Sequence, residues 1–93
     1  MNAEDYSVEV GLALDLIIRG MVDEPEKLTI VPVLMERGTI EFQVTVTAGD
    51  IGKVIGIGGR NAKSLRTLLF AISRCRKHSY TLDIRADGAN FSQ

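Results

Sequence analysis

The sequence from residue 48 to residue 66 reads AGDIGKVIGIGGRNAKSLR, and its glycines at 52, 56, 58 and 59 lie among four cationic side chains. Each glycine costs a helix roughly 1 kcal/mol relative to alanine, so a run of glycines at one junction indicates that something approaches the backbone closely there. The preceding segment alternates as a strand does, and the following segment has helical spacing. The stretch therefore predicts a turn that the rest of the chain serves to position.

The flanking segments predict an α+β domain. Residues 40–47 alternate between apolar and polar side chains, as a strand with one buried face does. The other predicted elements are a helix over about 4–19, a strand over 27–35, a short helix ending near 55, a long helix over 61–77 and a strand over 80–85. Pro32 cannot donate to a ladder, so the first strand belongs at an edge. We expect three mixed strands with all three helices packed on one face, in the order α-β-β-α-α-β.

Individual side chains follow from this outline. Asp50 is expected to cap the short helix. The aromatic residues Tyr6, Phe42, Phe70 and Tyr80 are expected in the core, and Cys75 is expected to be a small buried residue. Residues 1–86 are predicted to form a single domain, and residues 87–93, which have no periodicity, a flexible C-terminal tail.

Charge is distributed unevenly along a chain whose net charge is only −1. Residues 48–79 carry seven Lys or Arg residues against one Asp, whereas residues 1–47 carry three against nine acidic residues. The acidic balance argues against a nonspecific nucleic-acid binder, but a local basic segment is compatible with binding one strand at one place. Solvated charges on helix faces explain the same pattern equally well.

The composition also limits the class of protein. The one cysteine cannot form an internal disulfide, and neither a signal peptide nor a membrane span is evident, so a cytoplasmic protein is expected. His78 has no companion at metal-ligand spacing, and no acid–base or nucleophilic constellation is present. We therefore predict no metal, no cofactor and no enzymatic activity.

The common phosphate-binding loops do not fit the glycine stretch. A P-loop needs a glycine followed by Lys and Ser or Thr, and the dinucleotide fingerprint needs a glycine at position 61, which is Asn61. What remains is a four-residue turn between two helices, Gly56 to Gly59. Small residues there admit a ligand backbone, and the N-terminus of the long helix directs N–H groups at it.

This turn resembles the signature of the KH domain, whose G-x-x-G loop clamps nucleic-acid backbone. The motif is VIGIGGRNAKSL at residues 54–65, the element order matches the bacterial type II arrangement, and the resemblance covers roughly residues 5–86. The stretch from Asp50 to Lys63 is similar to small stand-alone bacterial KH proteins of the KhpA type. The resemblance implies binding of single-stranded RNA, as an RNA chaperone or post-transcriptional regulator. It also implies a homodimer, or a heterodimer with a second KH protein of the KhpB (Jag) type.

The expected RNA-binding residues are Lys53, Gly56, Ile57, Gly58, Gly59, Arg60, Asn61, Lys63 and Ser64. KH loops commonly carry a lysine at the first of their two variable positions, but these positions are Ile57 and Gly58 here. The clamp is therefore expected to depend on Lys53, Arg60, Lys63 and the helix N-terminus. The uncharged loop leaves open a second interpretation, a dimerising protein-interaction KH module with weak RNA binding.

Overall fold

The computed structural model describes residues 3–76 and 78–87, with side chains from Ser7 onward within these ranges. In this part of the chain the elements are α1 (Ala3–Arg19), β1 (Thr29–Leu34), β2 (Ile40–Val46), α2 (Ile51–Ile55), α3 (Arg60–Arg76) and β3 (Tyr80–Ala86). The α+β class is confirmed. Three short 3-10 turns, which the sequence did not predict, lie at Pro25–Lys27, Glu36–Gly38 and Ile57–Gly59. Residues 88–93, most of the predicted tail, lie outside the described residues.

The predicted three-stranded mixed sheet is also confirmed, with the order β1-β2-β3. Strand β2 is antiparallel to β1 and parallel to β3, and Phe42 lies opposite Pro32 on one side and Leu82 on the other. A short turn joins β1 to β2, whereas β3 is reached only through α2 and α3, which permits the parallel pairing. Pro32 lies in an edge strand, as predicted, where its missing N–H removes no inner ladder bond.

One hydrophobic core joins the sheet to the helices. Alternate residues of β2, from Ile40 to Val46, are buried, and the residues between them are half-buried. Residues of all three helices belong to the same cluster: Val10, Leu14, Ile18, Val54, Leu65 and Leu69. Because strand residues two apart point to the same face, the helices cover one side of the sheet and hold the α2–α3 junction against it.

Helix α1 turns a slightly different face to the sheet than its spacing predicted. The helical spacing of Val10, Leu14 and Ile17 predicts Ile17 in the core, but Ile17 is 44% exposed and its neighbour Ile18 is fully buried. Apolar residues occur nearly all round this helix, so the period alone did not fix the buried face. The α1 apolar stripe, defined as Val8, Leu12 and Leu16, faces solvent. The side chain of Tyr6 lies outside the described residues.

Two further side-chain predictions on α3 are wrong. Phe70 is 61% exposed and Cys75 is exposed, although both were expected to be buried. The core-facing residues of this helix are Ala62, Leu65 and Leu69, and Phe70 follows the last of them by one position. One position is a rotation of about 100° on a helix, which carries the ring away from the sheet. Phe42 and Tyr80 are buried, as predicted.

Candidate functional site

The glycine stretch forms a tight connection between α2 and α3. Gly56 ends α2 with φ 80° and ψ 168°, and its N–H donates to the carbonyl of Gly52 at 2.8 Å. The 3-10 turn Ile57–Gly59 follows, with positive φ values of 63° at Gly58 and 78° at Gly59. Three residues with positive φ within four positions explain why the connection is built from glycine.

Gly56 also lies close against the start of α3. A Cβ atom on Gly56 would lie 2.7 Å from Cγ of Asn61 and 2.9 Å from its backbone nitrogen. The Asn61 side chain donates through Nδ2 to the carbonyl of Lys53 at 2.9 Å. Asn61, expected among the RNA-binding residues, therefore has a local task in the protein: its amide ties the start of α3 to the end of α2.

The tip of the turn is open to solvent. Ile57 is 91% exposed, and a Cβ atom on Gly58 or Gly59 would meet no other atom within 4 Å. The amides of the turn are less available than expected, because Gly59 N–H donates to the carbonyl of Gly56 and Arg60 N–H donates to that of Ile57. A ligand therefore meets an uncovered backbone surface, but the N–H groups of Gly59 and Arg60 already donate hydrogen bonds within the turn.

The three cations expected at the turn differ in availability. Lys53 Nζ lies 2.9 Å from Oδ2 of Asp23 and 3.4 Å from Oδ1 of Asp50. These hydrogen bonds, the one to Asp23 above all, raise the pKa of Lys53. Arg60 and Lys63 are exposed, as is Ser64 beside them, and neither cation forms an ion pair with any described residue. Two of the three charges are thus free for an anion.

Charge removal separates these roles. We expect Arg60→Gln and Lys63→Gln each to leave thermal stability unchanged and to lower the slope of log affinity against log salt by about 0.7, the value for one phosphate contact on a single strand. Lys53→Gln is expected to lower the melting temperature and to leave the salt slope unchanged. Fluorescence anisotropy of a labelled RNA at several salt concentrations, with parallel thermal melts, measures both. A smaller salt slope in Lys53→Gln would show instead that Lys53 contacts the RNA.

Asp50 holds the start of α2 by a contact that the sequence did not reveal. It occupies the N-cap position, but its side chain makes no capping bond to its own helix, contrary to our prediction. The carboxylate is buried, with 2% of the residue exposed, and accepts the N–H groups of Asp23 and Glu24 at 3.0 Å each. The bond from Asp23 N–H lowers the pKa of Asp50 most, against the opposing effect of burial. Asp50 thereby ties the connector after α1 to the base of the glycine turn.

The cationic surface continues along α3 from the turn. Lys63, Arg66, Phe70 and Arg74 are exposed at spacings of three and four, so they share one face, which we call the outer stripe of α3. Helix α3 contains no acidic residue. Arg66 Nη2 donates to the carbonyl of Leu82 at 3.4 Å and so lies between α3 and β3. Arg66 and Phe70 are absent from the predicted site, although their four-residue spacing was a signal that could have placed them there.

The described residues contain no cluster of His, Cys, Asp and Glu that could hold a metal ion. In the same part of the chain, no helix combines the length and the apolar character needed to cross a bilayer.

A family model for the KH domain of KhpA and KhpB matches residues 13–84 and thus includes β1, β2, the glycine turn, α3 and most of β3. The chain belongs to this KhpA/KhpB family of KH domains. The RNA-binding protein KhpA of Chlamydia trachomatis serovar D is 38% identical over 71 residues, which are 76% of this chain and 90% of that protein. The protein of the same name from Leifsonia xyli is 40% identical over 65 residues, or 70% of this chain and 84% of that protein.

A third relative covers more of the chain. The RNA-binding protein KhpA of Chlamydia caviae is 39% identical over 74 residues, which are 80% of this chain and 94% of that protein. The KhpA/KhpB family match includes the whole stretch from Asp50 to Arg66, on which the predicted site depends.

Proposed function

We propose that residues 1–86 form one KH domain of the type II arrangement that binds single-stranded RNA, with residues 87–93 as a tail outside it. The observation that carries the proposal is the exposed glycine turn at residues 56–59, set beside the free cations Arg60 and Lys63. Several similar proteins are named for RNA binding, which supports the same function here.

The turn would hold RNA by shape more than by charge. Gly58 and Gly59 have no side chain between their backbone and a phosphodiester, and Arg60 and Lys63 supply positive charge at the start of α3. Gly56 sets the angle of the turn, Ile57 offers an apolar contact to a base, and Asn61 and Lys53 keep α2 and α3 in place. Ser64 adds a hydroxyl one residue beyond Lys63.

Few free charges imply weak and reversible binding. Each contact between a cationic side chain and a phosphate contributes to affinity, and residues 56–59 carry no charged side chain. Such a protein suits the work of an RNA chaperone or a post-transcriptional regulator in the cytoplasm, because it releases one RNA before acting on another.

The test of this function adds charge at the tip. We expect the double variant Ile57→Asp, Gly58→Asp to lose at least about tenfold in RNA affinity, because two carboxylates would face the phosphodiester. Ile57 is exposed, a Cβ at position 58 meets no atom within 4 Å, and aspartate is among the few residues that adopt a φ near the 63° of Gly58, so the variant should fold. Affinity is measured by fluorescence anisotropy with a labelled single-stranded RNA.

A matched control has side chains of the same shape as the Asp variant but without their negative charge. Ile57→Asn, Gly58→Asn has side chains of the same size, and asparagine accepts the left-handed conformation at position 58. We expect its affinity to stay within about threefold of the unaltered chain. Equal binding by the Asp and Asn variants would exclude the turn as the RNA site.

A second candidate function, a dimerising KH module, is favoured by the α1 apolar stripe. Val8, Leu12 and Leu16 recur every four residues and are more than half exposed. A cavity of about 240 Å³ separates this stripe from Ile30 and Pro32 of the edge strand β1. Exposed apolar residues in such an arrangement are typical of a protein contact. We propose a second copy of this chain as the partner, or a KH protein of the KhpB type.

Light scattering tests the dimer. We expect the unaltered chain to have twice the monomer mass and Leu12→Lys to shift it to monomer at equal concentration, because a buried unpaired lysine opposes association. Val31→Lys is the control, since Val31 is exposed on the opposite face of the sheet. A strict monomer that binds RNA tightly would exclude this candidate.

A further inference from the structure

The outer stripe of α3 carries an aromatic ring where the sequence predicted a core residue. Phe70 is 61% exposed, and Cζ of Arg74 lies 5.9 Å from the centre of its ring. An exposed ring beside a guanidinium gains from cation–π attraction, and most of the surface of Phe70 stays uncovered.

A cavity of about 520 Å³ lies next to this ring. It is bounded by Arg37 and Gly38 of the β1–β2 turn, by Phe70 and Arg74, and by His78 before β3. Two guanidinium groups line it, and no carboxylate does. Nε2 of His78 is buried and has no hydrogen-bond partner among the described residues, which is unusual for a polar atom.

The cavity is continuous with the candidate RNA surface. Lys63, Arg66, Phe70 and Arg74 follow one face of α3 over about 17 Å, at 1.5 Å per residue. A single strand held at the glycine turn and directed by Lys63 and Arg66 would reach the ring of Phe70. The charged residues along this path are all positive, opposite in sign to the phosphates of the strand.

We infer that Phe70 is a stacking platform for a nucleobase of the bound single-stranded RNA, with Arg74 and Arg37 contacting the adjoining phosphates. This inference rests on the proposed function and adds a base-binding site at the end of α3 far from the turn. A nucleotide offers a planar base to the ring and a phosphate to the cations, and stacking of this kind tolerates any sequence. A protein partner fits less well, because the cavity beside the ring is lined by Tyr80 together with arginine, serine, histidine and glycine, which do not form a contiguous apolar patch.

Tryptophan fluorescence reads this site directly. The chain contains no tryptophan, so in Phe70→Trp the indole emission reports position 70 alone. We expect a single-stranded RNA decanucleotide of mixed sequence to quench this emission, and a polyphosphate of equal charge to leave it unchanged. Leu16→Trp, on the exposed α1 stripe, is the positional control and should not be quenched.

Affinity gives an independent readout on the same RNA. We expect Phe70→Leu to bind about fivefold more weakly or worse, since it keeps an apolar side chain but loses the aromatic face. Phe70→Tyr should bind as the unaltered chain does. Because Phe70 is exposed, all three variants at this position should melt at nearly the temperature of the unaltered chain.

The outcomes separate this inference from the proposed function. Suppose that the unaltered chain binds RNA and the Asp variant of the turn does not, but that RNA neither quenches the indole of Phe70→Trp nor binds Phe70→Leu more weakly. The stacking site is then excluded, and the turn remains the RNA site. Quenching of the indole by polyphosphate also excludes base stacking. So does a change in indole emission when the chain forms a dimer without RNA. If the unaltered chain binds no RNA, both proposals fail.

Discussion

Gly56→Ala is expected to destabilise the domain by about 2–4 kcal/mol and to remove RNA binding with it. At φ 80° and ψ 168°, Gly56 occupies a region that is essentially restricted to glycine. A methyl group there would also lie 2.7 Å from Cγ of Asn61 and 2.9 Å from its backbone nitrogen, and the backbone cannot yield as a flexible side chain can. Relief requires α2 and α3 to separate, which displaces the turn. Urea denaturation measures the loss of stability.

Gly52→Ala is the matched control in the same short helix. A Cβ at Gly52 meets no atom within 4 Å, and the residue has no positive φ. Alanine there should stabilise the domain by about 0.5–1 kcal/mol, because the unfolded chain loses freedom and the helix gains propensity. Equal stability of the two variants would refute the close approach of Asn61 to Gly56 as the reason for glycine.

Asp50→Ala is the second change with a large expected effect. Its carboxylate accepts two backbone N–H groups, of Asp23 and Glu24, that no other described group is seen to satisfy. Removing it leaves both donors unpaired in a half-buried place, and we expect the melting temperature to fall by on the order of 10 °C. The melting temperature of Asp50→Asn should fall less, since the amide oxygen still accepts one of the two hydrogen bonds. Asp23→Ala keeps the backbone N–H that Asp50 accepts and removes only an exposed carboxylate paired with Lys53, so its melting temperature should fall much less than that of Asp50→Ala.

The contribution of Asp50 to stability depends on pH in a defined direction. The bonds from Asp23 N–H, Glu24 N–H and Lys53 hold the pKa of Asp50 below its ordinary value of 3.8. A carboxylate whose pKa is lower in the folded state stabilises the fold above the unfolded pKa and loses this effect as the pH falls through the folded pKa. The difference in stability between the unaltered chain and Asp50→Asn should therefore be constant from neutral pH down to about pH 5 and narrow below about pH 4. A difference that widened in acid would contradict this role.

Much of the fold was predictable because its signals are local. The alternation from Ile40 to Val46 depends on neighbours two residues apart, and it identified both the strand and its buried face. Pro32 indicated an edge strand because the missing N–H is a property of that residue alone. The glycine run likewise identified the turn at residues 56–59, since positive φ values restrict the residue type at each position independently of the rest of the chain.

The predictions that failed concern which segment lies beside which. Every side of α1 offered apolar residues, so the choice of Ile18 over Ile17 as a core residue followed from where the sheet lies. Phe70 was assigned to the core by residue type, yet its position on α3 turns it toward solvent and Arg74. A residue type gives a tendency to be buried, whereas burial itself depends on the position of the neighbouring element.

The sequence alone was thus sufficient to predict the α+β order, the edge strand, the glycine turn and the KH family, all of which follow from patterns within a few residues. The bonds from Asp23 and Glu24 to Asp50 join positions 27 and 26 residues apart, and only the tertiary structure brings them together. The same contact gives Lys53 two carboxylate partners and leaves Arg60 and Lys63 as the free cations of the turn. The availability of a charge is a property of the folded surroundings, because an ion pair depends on distance in space and not on separation along the chain.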